Sequence, residues 1–187
     1  MEARKLIDFL GTIEKLKCNT RHSWTSSGRH ESIAEHSWRL AVMALLVGSE
    51  FPELNMEKVV KMCLIHDFGE AITGDIPSFN KTDADERAEE EAITELLKQL
   101  PVALGNEFQA LFQEMAELTT EEAKLFKALD NLEVIISHNE APLETWIPLE
   151  YTENLTYGTE RVAHSEYLKE LKEEIKKDTL RKIEGSS

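Results

Sequence analysis

Basic residues are scarce in this 187-residue chain: 21 Lys and Arg stand against 36 Asp and Glu, a formal net charge of −15 at pH 7. A field of that sign repels polyanions. It argues against a nucleic-acid polymer or an anionic membrane as main partner, and any phosphate that binds must meet local positive charge. Long apolar runs are also missing. The longest, Leu40 to Val47, falls far short of the roughly 20 residues a bilayer span requires. The first apolar pattern carries Glu2, Arg4, Lys5 and Asp8, unlike the uncharged core of a secretory signal, so a cytoplasmic location is expected. Two cysteines, Cys18 and Cys63, make no disulfide framework, and both read as structural. Gly and Pro fill only 13 positions, with no internal repeat and no low-complexity linker.

What the chain does have is a 41% hydrophobic fraction arranged at helical spacing, enough for one core. The expected architecture is all-α, a single domain over residues 1–187. Helices are expected at about 2–18, 32–50, 56–67, 83–100, 104–117, 120–139 and 152–182, with no useful strand pattern. Ser32 before Glu35 reads as a capping box, Asn55 precedes another start, and Pro101 stops the fourth helix. Loops are expected at 19–31 and 68–82. The acidic cluster Asp83, Asp85, Glu86, Glu89, Glu90 and Glu91 reads as a solvated helix start that opposes the macrodipole, and the Lys/Glu-rich stretch from Tyr167 to Lys182 as a solvated helix face. Neither is assigned chemistry.

The informative residues interrupt apolar stripes. Ile33, His36, Leu40, Met43 and Val47 fall at steps of three and four, so His36 points inward. Val59, Met62 and His66 form one row, with Val60, Cys63 and Asp67 beside it. Ala123, Phe126, Asp130 and Val134 place a further carboxylate among apolar neighbours. Singly, an inward His is usually a hydrogen-bonded core residue and an inward Asp a cap or ion-pair partner. Together, His36, His66, Asp67 and Asp130 have a common explanation in a divalent cation, since two imidazoles and two carboxylates suit first-row metals.

The order of an early His36, an adjacent His66-Asp67 doublet and a late Asp130 resembles the metal-binding signature of the HD-domain phosphohydrolases. The longer string from His66 to Pro77, with Ser32 to Ser37 and Lys127 to Leu132, resembles the branch of 5'-deoxynucleotidases and related small HD-domain proteins. The likeness covers about residues 5–140; the C-terminal helix adds no motif.

The resemblance implies a helical HD-domain fold and one divalent metal ion, among Mn, Co, Zn, Fe and Mg. It implies hydrolysis of a phosphate ester, with a nucleoside 5'-monophosphate as small-molecule substrate, and a homodimer. It makes Glu70 and Asp75 the catalytic carboxylates, and puts Arg21 at the phosphate and Trp24 against the sugar. His22 and Ser23 separate Arg21 from Trp24, whereas the best-known bacterial members have the pair adjacent, so sugar selectivity is left open. His22 and His30 are expected in solvent, His138 in the core or at a helix end, and Trp38 and Trp146 in packing. Three other readings compete: hydrolysis of another small phosphorylated metabolite, a non-catalytic metal-containing binding module, and a two-iron oxidase. The oxidase would need further ligands, for which only His138 and the loop histidines are spare.

Overall fold

A computed structural model describes residues 1–77 and 79–185. The helices that hold the centre of the molecule begin where short polar side chains satisfy free N–H groups. Helix α3 (Ile33–Val47) opens with a complete capping box: Ser32 Oγ accepts from Glu35 N at 3.3 Å, and the Glu35 carboxylate accepts from Ser32 N at 2.9 Å. Asn55 caps α4 (Met56–Ile65), Thr120 caps α8 (Glu121–Glu140) and Ser165 caps α10 (Glu166–Glu184), each worth about 1 kcal/mol. Helix α8 packs against α3, α4 and α10, so it buries side chains, polar as well as apolar, around most of its circumference. Leu125, Leu129, Leu132 and Ile135 of α8 meet Leu40, Val59, Met62 and Leu168 in the main core.

Two smaller clusters flank this core. Helix α1 (Ala3–Ile13) sends Phe9 onto Ile93, Leu96 and Leu97 of α6 (Asp83–Leu97), with α7 (Val102–Glu117) alongside. Leu16 of α2 (Lys15–Cys18) packs with Ile33 and Ala71. Ala71 lies in α5 (Glu70–Thr73), a single turn that Gly74 ends at φ +77°, a left-handed conformation a side chain would strain. At Gly69, by contrast, the requirement is space: an added Cβ would stand 2.6 Å from Glu89 Cγ and 3.2 Å from the Glu89 carbonyl.

Several sequence expectations need correction. The expected loop 19–31 contains a small antiparallel hairpin, β1 (Thr20–Trp24) paired with β2 (His30–Ser32), irregular in register between Thr20 and Trp24. That irregularity hides strand alternation. The N-terminal helix breaks at Glu14. The stretch expected as one helix over 152–182 is two, α9 (Glu150–Thr156) and α10, separated by turns around Gly158 at φ +73°. Trp38 does not pack: it is 64% exposed on α3, which also leaves Leu45 and Leu46 exposed. Cys18 is exposed and Cys63 buried, both as free thiols. Among the described residues no helix is long and apolar enough to cross a membrane.

Candidate metal centre and active-site cavity

Helices α3 and α8 and the C-terminal end of α4 bring four donor atoms together. His36 Nε2 lies 3.2 Å from Asp130 Oδ1, His66 Nε2 lies 3.1 Å from Asp67 Oδ1, and His66 Nε2 is 3.8 Å from Asp130 Oδ1. The other nitrogen of each ring is already committed. His36 Nδ1 is 2.5 Å from Glu133 Oε2, and His66 Nδ1 donates to the Cys63 carbonyl at 2.9 Å. With both Nδ1 protons held there, each Nε2 lone pair faces a carboxylate oxygen. With both rings neutral, four acceptors are aimed at one another, an arrangement that needs positive charge between them.

Without an ion, a proton on the His36 ring supplies part of that charge. Burial and Arg21 push the His36 imidazole down, but hydrogen bonds to Asp130 and Glu133 outweigh them and hold it up at about 9. Burial opposes ionisation of Asp67, yet the adjacent His66 holds its carboxyl down at about 2. Asp130 is likewise held well below the usual carboxylate range, against burial, by Lys127, whose Nζ lies 2.8 Å from Oδ2. Two anionic carboxylates and two oriented imidazoles form a donor set that fits a first-row divalent ion.

These groups line a cavity of about 440 Å³ that also takes in Arg21, Glu70, Asp75, Lys81, Lys127 and Phe79. Arg21 Nη1 is buried without a hydrogen-bond acceptor, 3.7 Å from Glu31 and 3.9 Å from Glu133. An orphaned guanidinium donor beside a cavity suits a ligand oxygen. Burial, then the negative charge of Asp67, Asp75 and Glu89, pushes the Glu70 carboxyl up to about 10. Burial also raises Asp75.

Seven of the eight sequence-derived site residues thus share one cavity wall; Trp24 does not. Its ring packs against His30, tilted by 36° with centroids 4.0 Å apart, and it is absent from the cavity lining. The neighbour His22, expected in solvent, lines the cavity instead, 3.1 Å from Glu150, and His138 is a buried member of the same wall. Sequence reasoning also missed Glu133, Lys127 and Lys81. Glu133 and Lys127 each sit three residues from Asp130, a helical spacing that could have flagged them. Glu89 of the acidic cluster pairs with Lys81, so that cluster is not wholly solvated. Glu150 and Tyr157, also in the lining, had no detectable signal.

A family model described as an HD domain matches residues 13–172. The chain belongs to the HD-domain family. Among its relatives, 5'-deoxynucleotidase HDDC2 of Bos taurus is 37% identical over 142 residues, which covers 74% of this chain and 68% of the relative. 5'-Deoxynucleotidase hdd1 of Schizosaccharomyces pombe is 33% identical, over 70% of this chain and 69% of that one. In solved structures, a protein from Magnetospirillum magnetotacticum described as a predicted metal-dependent phosphohydrolase superposes with a TM-score of 0.80 at 30% identity, covering 96% of this chain and 93% of the other. The HD-domain membership accounts for the helical architecture and for a divalent metal in this chain.

Proposed function

We propose that the chain is a metal-dependent phosphomonoesterase that converts nucleoside 5'-monophosphates, 2'-deoxy ones included, to nucleoside and phosphate. The observation that carries this is the convergence of four metal-ligating side chains beside a buried arginine donor without an acceptor. HD-domain relatives named as 5'-deoxynucleotidases supply the substrate class, and about 440 Å³ lies within the usual range for small-molecule pockets.

His36, His66, Asp67 and Asp130 would hold the metal, which, when bound, lowers the pKa of water toward neutrality and offsets charge on phosphoryl oxygens. Arg21 and Lys127 carry the positive charge that the acidic chain otherwise lacks, and they place the phosphate at the centre. Glu70, kept protonated by its buried, acidic surroundings, and Asp75 beside it handle the protons of the attacking water and of the departing 5'-oxygen. Glu133 accepts the Nδ1 proton of His36 and so presents Nε2 to the centre.

The whole chain acts as one domain in this reading. Two free thiols support a cytoplasmic setting, and the exposed Trp38, Leu45 and Leu46 of α3 offer an apolar face for a second copy. The test is phosphate release from a panel of ribo- and 2'-deoxynucleoside monophosphates after chelation and refilling with Mn²⁺, Co²⁺, Mg²⁺ or Zn²⁺. Metal-dependent release from nucleoside monophosphates is expected; no release with any of the four ions refutes the proposal.

A further inference from the structure

A second group of metal-ligating side chains lines the same cavity, built from residues the HD signature does not use. His22 comes from β1, His138 from the last turn of α8 and Glu150 from the first turn of α9. Glu150 Oε1 lies 3.1 Å from His22 Nε2 and 3.3 Å from His138 Nε2, and the three atoms all fall within 4.8 Å of one another. Donor atoms bound about 2.0–2.2 Å from one small cation stand roughly 3 Å apart, so these separations need little adjustment to take an ion.

The second polar atoms of His138 and Glu150 are tied in the way metal ligands usually are. His138 Nδ1 is 2.9 Å from Asn154 Oδ1, which holds the Nδ1 proton and leaves the Nε2 lone pair facing the Glu150 carboxylate. Glu150 Oε2 accepts from Ile147 N at 2.9 Å, which turns Oε1 toward the two rings. Burial, the first cause, keeps His138 below its ordinary value despite Glu150, and so neutral, the form that binds metals. His138 and Glu150 are buried, while His22 is 27% exposed toward the opening beside Phe79.

We propose that His22, His138 and Glu150 form a second divalent-cation site on the cavity wall, distinct in all three ligands from the centre at His36, His66, Asp67 and Asp130. Two imidazoles and one carboxylate with an open face toward a cavity suit Zn²⁺ or Co²⁺ better than Mg²⁺ or Ca²⁺, which prefer all-oxygen shells. Ser23 Oγ, 3.2 Å from His138 Nε2, has to turn away when the ion enters. The site stands on its own donors and does not depend on which phosphate ester the enzyme cleaves.

The test is a count of ions. The full-length chain, stripped with a chelator and dialysed against excess Co²⁺ and then against metal-free buffer, is assayed for bound cobalt by elemental analysis and for its visible absorption. Two ions per chain are expected in the wild type and one in Asp67→Ala. One is also expected in His22→Ala, whose partly exposed side chain can be removed without opening the core, and in His138→Gln; circular dichroism checks the fold of each. The cobalt spectra of Asp67→Ala and His22→Ala should differ, because each retains the other site. A wild-type chain that takes up one ion overturns the proposal, as does a folded His22→Ala chain that keeps two. Either result makes the three residues a hydrogen-bonded relay only.

Discussion

Glu133 is the place where the geometry makes its sharpest demand. Its carboxylate is 1% exposed, takes the His36 ring on Oε2 at 2.5 Å and Arg39 Nε on Oε1 at 2.6 Å, and lies 3.9 Å from Arg21. Glu133→Gln keeps the volume and removes the charge. Two separable losses follow. Arg21 and Arg39 lose a buried counter-charge, and breaking a buried pair from one side costs about 3 kcal/mol or more, part of which Glu31 and Glu140 offset at these two arginines. Independently, the amide can offer His36 Nδ1 a donor, which would turn the ring's proton to Nε2 and its lone pair away from the centre. Loss of such an orienting partner lowers metal affinity by about 10- to 100-fold, or about 1.4–2.7 kcal/mol. Urea unfolding of the metal-free protein reads the first loss, and competition for Co²⁺ or Zn²⁺ against a chromophoric chelator reads the second. A variant that loses stability but binds metal with unchanged affinity would show that Glu133 serves packing alone, and the orienting role would fall.

Three further expectations follow from the same cavity and core. Glu70→Gln should retain metal and nucleotide while kcat drops by about 10²-fold or more, the usual scale for a proton-transfer group; near-normal turnover removes Glu70 from the chemistry, and loss of metal makes it a ligand. Arg21→Ala should weaken all monophosphates alike, whereas Trp24→Ala, packed against His30 outside the cavity, should leave the 2'-deoxy over ribo ratio of kcat/KM within about twofold; a tenfold change in that ratio would put the indole back at the substrate. Lys172, buried on α10 with its ammonium 3.4 Å from the Asn154 carbonyl, is pushed down to about 8 by burial and then by Lys176. Because the unfolded chain binds that proton more tightly, its cost is full below pH 8 and is relieved as pH rises from about 8 to 10.5. Lys172→Met should therefore raise stability at pH 7 by about 2 kcal/mol and flatten that alkaline rise, as read by urea unfolding at both ends of the window; a variant less stable at pH 7 contradicts it.

The four residues of the metal centre that periodicity reached share one property: they are polar where helical spacing demands apolar, whereas Arg21, Trp24, Glu70 and Asp75 came only with the family resemblance. His36, His66, Asp67 and Asp130 each break a stripe, and a broken stripe is visible in one dimension. Glu133 breaks one as well, but beside Asp130 it reads as an ordinary helical acid. Its meaning comes from His36 and Arg39, which are 97 and 94 residues away. The hairpin was hidden because three- and five-residue strands with an irregular register show no alternation, and because the burial of Arg21 and Ser23 is imposed by α8 rather than by their own apolarity. The split between α9 and α10 followed from Gly158, whose positive φ and closeness to Asn131, where an added Cβ would stand 2.9 Å from Asn131 Cβ, are tertiary facts. His22, His138 and Glu150 had no common signal, since they come together only when three distant segments meet.

The tight seat of Gly69 has a consequence for how such an enzyme could drift in specificity. Position 69 lies between Asp67, the proposed metal ligand, and Glu70, the proposed proton-transfer group, and α6 presses on it through Glu89 and Ile93 with no room for even a methyl group. Helix α6 is in turn backed by Phe9 of α1, so two helices outside the cavity set where Glu70 sits. A change of side-chain size at position 89, 93 or 9 would be transmitted as a shift of the active-site turn. The Glu89–Lys81 pair would carry the same movement to the cavity rim. Substrate preference in this architecture is thus adjustable from its outer layer, and a search for altered specificity that samples only cavity-lining positions would overlook the wedge behind them.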